Sequence, residues 1–332
     1  MTRKAGTKHS RWTKALSLLA LGAGMAATAP APLQAAENGV GFYLLGTKGP
    51  LAGILPPPGV FFQNDTYFYS GSASASRSLP VAGTLIADVD ATAYIDLMSG
   101  VWVLPSSVFG GRLAIMGTLP WGGQSIDASL SLPGPGFGAA RDDTVFTIGD
   151  PVVGASLGWD HGNFHWTTGF LANVPIGNYQ KGELANLAFH RWGLDLNAAV
   201  TWLDPATGWD LSAAAGITFN GENQATDYRT GTEFHLEAAI SKAITKEFSA
   251  GVVGYYYDQI SGDSGRGAKL GDFQGRVAAL GITAAYNFNV GNTPVSARAK
   301  VYREFATRNR LEGTAGFLTV SFPLHVTATA AN

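Results

Sequence analysis

The 332-residue chain contains no cysteine, and this absence excludes several classes of function. Disulfide scaffolds, cysteine-ligated zinc or iron–sulfur centres and thiol catalysis all require that residue. Charge is also scarce, because charged residues make up 14% of the chain, against about 25% in typical soluble domains. The formal net charge of −2 provides no basic surface for nucleic acid. A hydrophobic content of 46%, with 43 glycines, argues against a disordered chain.

Long hydrophobic runs are missing as well. The apolar run at residues 15–27 is shorter than the roughly 20 residues that a transmembrane helix needs. It follows a region that is basic and free of acids, and it precedes small residues at 33–36. This order is typical of a secretory signal peptide. We therefore predict a signal peptide over residues 1–35, with cleavage after Ala35 or Ala36.

From residue 60 onward the dominant pattern has a period of two, which indicates strands with two different faces. It is clearest over 191–204, where Trp192 and Leu194 share one face while Asp195 and Asn197 share the other. Twelve candidate strands follow from this pattern, near 60–69, 86–98, 110–119, 146–158, 163–174, 191–204, 208–220, 231–243, 247–258, 273–288, 294–305 and 313–324.

The connections between these strands alternate in length. Short turns lie near 160–162, 205–207, 244–246 and 289–293, and longer polar or glycine-rich loops are expected at 120–145, 175–190, 221–230 and 259–272. Short turns at one end and long loops at the other are typical of outer-membrane barrels. Because open sheet edges are not stable in lipid, the sheet should close. We predict an all-β fold, a closed antiparallel transmembrane β-barrel of about twelve strands over residues 60–326.

Aromatic residues on the apolar faces support this geometry. Trp192 and Trp202 share a face ten residues apart, which is roughly 33 Å along a strand. A strand tilt of about 40° reduces that distance to roughly 25 Å of height, the thickness of the apolar band of such barrels. The residues predicted to lie at the membrane interfaces are Trp159, Trp166, Trp192, Trp202, Trp209 and Phe219. The alternative is that they are core aromatics of a large soluble β-protein.

The opposite faces supply charges of both signs. The candidates for lining the lumen are Asp88, Asp90, Asp96, Arg112, Asp195, Asp210, Glu233, His235, Glu237, Arg298, Lys300 and Glu304. They could line a narrow polar passage, or they could form a cross-linked network that closes it. Twelve strands would enclose a lumen wider than that of an eight-stranded barrel and narrower than that of a sixteen-stranded porin.

Two terminal segments are left open by the sequence. Residues 36–59 are rich in glycine and proline, and they could form a periplasmic tail, a plug in the lumen, or an extra strand pair that would make fourteen strands. Residues 327–332 are expected to form a short C-terminal tail.

Motifs for catalysis and for metal or cofactor binding are weak. Residues 154–158 match the nucleophile-elbow pattern, but they lie within a strand pattern and not at a strand–turn–helix junction. His161 and His165 straddle a turn, unlike the two ligands of a helical zinc motif. Acids near 227 and at 258–263 lack the spacing of a calcium loop. No catalytic residue, metal site or cofactor is predicted from these motifs.

One polar cluster has two interpretations. It consists of Glu233, His235 and Glu237, three successive inward positions on one strand. A membrane-embedded hydrolase acting on lipid would need a serine from a neighbouring strand, for which the candidates are Ser212 and Ser249. The other interpretation is a salt-bridge network in the lumen with Arg298 or Lys300, and the absence of a catalytic motif favours this network.

Several short motifs carry a resemblance to a known family. They are Pro56-Pro57-Pro58-Gly59, Gly149-Asp150-Pro151, Leu157-Gly158-Trp159, Val174-Pro175-Ile176-Gly177-Asn178-Tyr179, Asn223, Thr226-Asp227-Tyr228, Gly231-Thr232-Glu233-Phe234-His235, Gly254-Tyr255-Tyr256-Tyr257-Asp258-Gln259 and Asp263-Ser264-Gly265. In order and spacing, the sequence resembles the outer-membrane proteins associated with the meta-cleavage pathway of phenol degradation, which are often labelled transporters. Ile176 departs from the usual threonine, and the chain extends ten residues beyond Phe322, past the terminal aromatic that barrel assembly favours.

The resemblance implies an outer-membrane barrel that takes up hydrophobic or aromatic compounds, and it implies no catalytic residue. Together with the strand pattern, it predicts an exported protein of a Gram-negative outer membrane. The expected function is a channel or transporter for small, hydrophobic or aromatic molecules, which diffuse through a narrow polar-lined barrel. The expected partners are outer-membrane lipid, these solutes and the barrel assembly machinery, without nucleic acid or a cofactor. A membrane-embedded lipid hydrolase and a non-conducting structural or adhesive barrel are the alternatives.

Overall fold

The structure, a computed structural model, describes residues 40–79, 83–131, 138–268 and 274–327. The predicted signal peptide and its cleavage site lie outside these residues, as does the predicted C-terminal tail apart from Thr327. Within the described ranges, no helix is long and apolar enough to cross a membrane.

The described residues form fifteen strands. They are β1 (Gly59–Leu79), β2 (Gly83–Val108), β3 (Gly111–Ser131), β4 (Gly138–Ile148), β5 (Val152–His161), β6 (Phe164–Asn173), β7 (Gly193–Asp204), β8 (Trp209–Asn220), β9 (Glu222–Asn223), β10 (Tyr228–Arg229), β11 (Glu233–Ala243), β12 (Phe248–Gln259), β13 (Arg276–Val290), β14 (Thr293–Arg308) and β15 (Glu312–Val326).

Twelve of these strands close into one antiparallel barrel. Their order around the wall is β2-β1-β15-β14-β13-β12-β11-β8-β7-β6-β5-β3, and the pairing of β3 with β2 completes the ring. The first and last strands meet because β1 pairs with β15, from Gly59 opposite Val326 to Ser72 opposite Glu312. The short strands β9 and β10 form a separate ribbon. The prediction of a closed twelve-stranded barrel is confirmed, and the described residues of segment 36–59 add no strand pair.

The sequence pattern was misleading between β3 and β5. The loop predicted at 120–145 is wrong for most of its length, because β3 continues to Ser131 and β4 pairs with its outer half. β5 pairs with the other half of β3, so β4 and β5 follow one another along the same neighbour. Gly149-Asp150-Pro151 separates the two strands. A proline is expected at such a break because it has no N–H to donate to a neighbouring strand. Over the half of β3 that pairs with β4, most side chains pointing away from the lumen are polar. The alternation of apolar and polar residues that marks a strand in lipid is therefore absent there.

The barrel is apolar outside and polar inside. In β7, Leu194, Leu196 and Val200 are 41–50% exposed on the outer face, whereas Asp195 and Thr201 are fully buried on the inner face. A soluble protein would bury the first set and expose the second. This inverted distribution is the one that a bilayer requires of a barrel wall.

The segment of the chain that precedes β1 lies inside the barrel. We call residues 40–58 the lumenal segment. Its residues Tyr43 and Leu45 pack in one buried cluster with wall residues of β1 and of β11 to β15, among them Tyr67, Tyr302 and Phe317. The hydrophobic core therefore lies between the lumenal segment and one side of the wall.

Candidate functional site in the barrel lumen

Basic residues of the wall hold the main chain of the lumenal segment. The Lys300 ammonium donates to the carbonyl oxygens of Gly46, Thr47 (2.9 Å) and Lys48 (3.4 Å). Arg298 donates to the carbonyl of Pro50 at 2.7 Å, and Arg112 donates to that of Pro56 at 3.1 Å. Lys300 lies 4.8 Å from the ring centroid of Phe317 and is 3% exposed. These cations therefore bind backbone carbonyl groups of the lumenal segment inside the barrel, and Arg112 is also paired with Asp160.

The opposite wall accepts the amide groups of the same segment. The Leu51 N–H donates to the Asp210 carboxylate at 2.8 Å and contacts the Ser212 hydroxyl at 3.1 Å. The Gly53 N–H donates to Thr201 Oγ1 at 2.9 Å. A Cβ at Gly53 would lie 2.7 Å from the Thr201 nitrogen and from the His165 carbonyl oxygen, so only glycine fits this close approach.

A histidine and a tyrosine connect the outer end of the lumenal segment to β7 and β11. The rings of Tyr43 and His235 stack with their centroids 3.6 Å apart, and the Tyr43 hydroxyl donates to Glu237 at 2.7 Å. His235 Nε2 is hydrogen-bonded to Asp195 at 2.8 Å, and Thr218 also donates to that carboxylate. His235 and both carboxylates are at most 2% exposed. The predicted salt-bridge network of Glu233, His235 and Glu237 with Arg298 or Lys300 is therefore replaced, among the described residues, by hydrogen bonds to Asp195, Tyr43 and Tyr257, while the two cations bind carbonyl groups of the lumenal segment.

Burial controls the protonation of the lumenal segment. It raises the pKa of the Tyr43 phenol well above its usual value, and the Glu237 carboxylate raises that pKa further, so Tyr43 remains a neutral donor. Burial also lowers the pKa of the Lys48 ammonium, while the carboxylates of Glu237 and Asp195 oppose that shift.

Other buried acids are saturated by neutral donors. Glu304 accepts hydrogen bonds from the hydroxyls of Tyr69 and Tyr255, each at 2.8 Å, and from the Gly313 N–H at 2.8 Å. Glu233 likewise accepts from Tyr257 at 2.6 Å. Hydrogen bonds to both oxygens stabilise a carboxylate away from bulk water, so these acids are part of the wall structure.

Two cavities lie along the lumenal segment. The larger one, about 990 Å³, is near the short-turn end and is lined by residues 47–52 and 54–56 together with polar wall residues such as Gln63, Asp65 and Arg298. The smaller one, about 130 Å³, is nearer the long-loop end and contacts residues 40–45. Its wall is mostly apolar, with Ala93, Ile95, Leu97, Pro120 and Ile126 among the lining residues.

The segment 174–192 connects β6 to β7 and contributes Leu187 and Phe189 to the smaller cavity. Its position is set by the buried carboxylate of Asp150, at the break between β4 and β5. Asp150 accepts from the N–H groups of Gly177 (2.8 Å), Phe189 (2.8 Å) and His190 (3.0 Å), and from Asn173 Nδ2 (3.0 Å). This contact explains physically why two motifs far apart in sequence, around 149–151 and 174–179, occur together.

Nine of the twelve predicted lumen residues lie on the inner face: Arg112, Asp195, Asp210, Glu233, His235, Glu237, Arg298, Lys300 and Glu304. The other three, Asp88, Asp90 and Asp96, are on the outer face of β2, and their prediction is corrected here. They alternate with the inward residues Ala91, Ala93, Ile95 and Leu97, which line the smaller cavity. Tyr94 and Met98, which share the face of Asp96, are 41% and 38% exposed, whereas Asp96 itself is 6% exposed and accepts a hydrogen bond from Thr66 at 2.7 Å. In this part of β2 the apolar residues therefore face the lumen and the acidic residues face outward, the reverse of the arrangement in β7.

The hydrolase interpretation required a serine beside His235. Among the described residues, His235 forms no hydrogen bond with a serine hydroxyl; Ser212 donates to Asp210 at 2.6 Å and faces Ala239 across the sheet. Ser249 pairs with Ala243, further along β11. Neither candidate is positioned as a nucleophile for this histidine. No group of three or more metal-ligating side chains occurs in the described ranges.

The six aromatic residues predicted at the membrane interfaces all belong to the outer face. Trp159 and Trp166 stack at 6.2 Å beside the turn that joins β5 and β6. Trp202 and Trp209 flank the turn between β7 and β8, at the same end. Trp192 and Phe219 lie at the other end, where the Gly221 N–H donates to the Trp192 carbonyl. Their role at the membrane surface remains a prediction.

Three residues that matter in the lumen are not among the predicted site residues, although Asp150 belongs to one of the short motifs. Tyr43 precedes the strands, Asp150 sits in a short break, and Tyr67 is one of several aromatics in β1. No periodic pattern marks the first two. Their roles depend on contacts with residues 194 and 39 positions away.

The fold and the inverted distribution of polarity define a class, that of the outer-membrane β-barrels. An outer membrane channel from Pseudomonas putida F1 has a similar structure, with a TM-score of 0.63 and 15% identity over 81% of this chain and 97% of that one. A FadL homologue from Pseudomonas aeruginosa is more distant, at a TM-score of 0.42 and 11% identity over 83% of this chain and 93% of that one. No curated protein sequence matches the chain.

The chain belongs to the family described as "Putative MetA-pathway of phenol degradation", whose sequence profile matches residues 70–320. The resemblance expected from the short motifs is therefore confirmed, and the matched range covers most of the barrel.

Proposed function

We propose that this protein is an outer-membrane channel for small hydrophobic or aromatic molecules, which diffuse down their gradient through the barrel. The proposal extends to its setting: export by the predicted signal peptide, insertion by the barrel assembly machinery, and contact of the outer face with lipid of a Gram-negative outer membrane. Family membership and the barrel fold support the coarser statement that the chain is an outer-membrane barrel.

One observation carries the transport proposal. An apolar cavity near the long loops and a larger, more polar cavity near the short turns both contact the lumenal segment. In outer-membrane barrels the long loops are extracellular and the short turns periplasmic. A solute entering from outside would first meet the apolar cavity and would then reach the larger one after a displacement of the lumenal segment. In this proposal the lumenal segment is the gate of the channel.

Uptake and conductance test this proposal together. The mature protein is reconstituted in planar bilayers, and uptake of a labelled monocyclic aromatic compound at low concentration is measured in porin-deficient cells that express it. We expect brief openings of small conductance in the bilayers. We also expect faster uptake than in control cells that carry the empty vector. The absence of both would favour the non-conducting structural barrel. Recovery of the protein in the soluble periplasmic fraction, without heat-modifiable mobility, would contradict the location.

A further inference from the structure

A group of arginines lies on the outward face of the wall near the long loops. Arg276 is the first residue of β13 and pairs with Arg308, the last residue of β14. Arg303 lies on the same face of β14 and pairs with Leu280 of β13, which is 65% exposed. The side chains of Arg276, Arg303 and Arg308 are 41%, 65% and 45% exposed. We call these three residues the arginine cluster.

The acids beside the arginine cluster do not balance its charge. Arg276 Nε and Arg308 Nη2 lie 3.6 Å and 3.7 Å from the same oxygen of Asp258, which is too far for a hydrogen bond. Arg303 Nη2 is 3.5 Å from Glu312, and an exposed ion pair of this kind contributes little. Among the described residues, three guanidinium groups thus face two carboxylates. Like charges directly opposite each other on neighbouring strands are unfavourable, so a bound anion would stabilise the pair of Arg276 and Arg308.

The arginine cluster lies at the level of lipid headgroups. Twelve residues separate Arg276 from Phe288, an outward aromatic residue near the short-turn end of the same strand. They span roughly 40 Å along the strand, or roughly 30 Å of height at a tilt of about 40°, whereas the apolar band is about 25 Å tall. Arg276 and Arg308 are therefore just beyond the apolar band on the long-loop side, which is extracellular in outer-membrane barrels. Arg303 is closer to the band, and its long side chain can extend to the same interface.

The charge at the long-loop end of the wall differs between sectors. Asp90, Asp127 and Asp142 pair in one outward row on β2, β3 and β4, so an anionic headgroup would be repelled there. The outer leaflet of a Gram-negative outer membrane is formed by a lipid whose sugar headgroup carries phosphate groups. Planar guanidinium groups bind phosphate oxygens through two parallel hydrogen bonds, which makes arginine well suited to this headgroup.

We propose that the arginine cluster is a binding site for the phosphate groups of this outer-leaflet lipid. The headgroup lies against β13 and β14, and the acyl chains cover the apolar residues below it, among them Leu280, Ile282 and Val301, which are 49–67% exposed. This inference rests on the outer-membrane location in the proposed function, and it assigns a particular partner to one sector of the wall.

Lipid binding to the purified mature barrel in detergent tests the site without any need for transport. Lipid A with two phosphate groups and the same lipid without phosphates serve as probes, inorganic phosphate serves as a competitor, and native mass spectrometry measures the bound lipid. Lipid A should bind more tightly than the dephosphorylated lipid, and inorganic phosphate should displace it only in large excess. Equal binding of the two lipids, or displacement of lipid A by an equal concentration of inorganic phosphate, would overturn the assignment.

Two double variants with the same change in net charge locate the site. Arg276→Gln with Arg308→Gln removes two cations from the arginine cluster, whereas Arg141→Gln with Arg266→Gln removes two cations that form ion pairs elsewhere. The first should weaken lipid A binding roughly ten- to thirtyfold, and the second should change it less than about twofold. Heat-modifiable mobility verifies that both are folded. Equal lipid A binding in the two variants would refute the site. Selective lipid A binding by a barrel that passes no solute would support the site and contradict the transport proposal instead.

Discussion

Replacement of Lys300 by methionine is the most direct perturbation of the lumenal segment. The ammonium donates to three consecutive carbonyl groups of that segment, from Gly46 to Lys48, and it is 3% exposed. Methionine keeps much of the side-chain volume and removes every donor. The barrel wall is expected to remain closed, because the substitution changes only the side chain. The backbone pairing of residue 300 with Thr283 and Phe317 stays intact.

The expected magnitude follows from the number and type of these hydrogen bonds. A hydrogen bond to a charged group contributes about 1.5–3 kcal/mol. Three such bonds do not add fully, since removal of the ammonium also removes the unfavourable free energy of burying it. A net loss of about 3 kcal/mol is therefore a reasonable estimate for the docking of the lumenal segment. Since each 1.4 kcal/mol is about a tenfold change in an equilibrium constant, the undocked population should rise roughly a hundredfold.

Two measurements report on this change. Single-channel recordings should show a higher open probability in Lys300→Met than in the wild type. The absence of native cysteine allows a clean second reporter: a single Ala52→Cys on the lumenal segment should react faster with a soluble maleimide in the variant. Lys242→Met is the matched control, because Lys242 is exposed on the outer face, 5.0 Å from the ring centroid of Trp209. Equal open probability and equal labelling in all three proteins would refute the proposed role of Lys300.

Two further variants test the outer segment and the wall. Asp150→Asn weakens the hydrogen bonds that hold the segment 174–192, so tryptic cleavage at Lys181 should become several-fold faster, whereas the exposed Asp142→Asn should not change it; equal rates would contradict the anchoring role. Gly216→Ala would place a Cβ 2.4 Å from the buried histidine nitrogen, and it should reduce unfolding stability by about 1–3 kcal/mol in urea titrations. Gly100→Ala, which meets nothing within 4 Å, should leave the midpoint unchanged; the same loss in both variants would argue against a specific clash.

The strands of the barrel were predictable where lipid faces one side and charge faces the other. β7, β8 and β11 each alternate strictly, and their predicted bounds agree with the structure to within two residues. Alternation of this kind is a local property of the chain, because each residue is assigned to lipid or lumen by its own strand. The same alternation assigned Asp195, Asp210 and Glu237 to the inner face, where the structure has them.

The prediction failed where the environment is not lipid outside and polar inside. β2 has apolar residues on its inner face, since Ala93, Ile95 and Leu97 contact the small cavity, and acids on its outer face. β1, β2 and β3 are 21–26 residues long, about twice the roughly 9–11 residues that cross a bilayer or more. Their outer parts therefore extend beyond the lipid, where polar outward side chains such as Asp90 and Asp127 are favourable.

The placement of the lumenal segment depends on contacts that no local pattern encodes. Residues 40–58 form no strand before Gly59, and their partners lie on β3, β7, β8, β11 and β14. The alternatives of tail and plug could not be separated from the sequence for this reason. Nine of the twelve polar candidates lie on the inner face, and four of these, Arg112, Asp210, Arg298 and Lys300, bind the backbone of this segment.

That mode of attachment has a consequence for how such a barrel could diversify. From Gly46 to Pro56 the wall binds the lumenal segment mainly through its carbonyl oxygens and amide hydrogens, which most residues supply, although the close approaches at Gly46 and Gly53 require glycine. The side chains of Lys48, Ala52 and Ile54 border the larger cavity and are not required for this attachment. Substitutions at these cavity-facing positions of the lumenal segment could therefore change which solute the barrel accepts, while the wall residues that hold the segment stay the same.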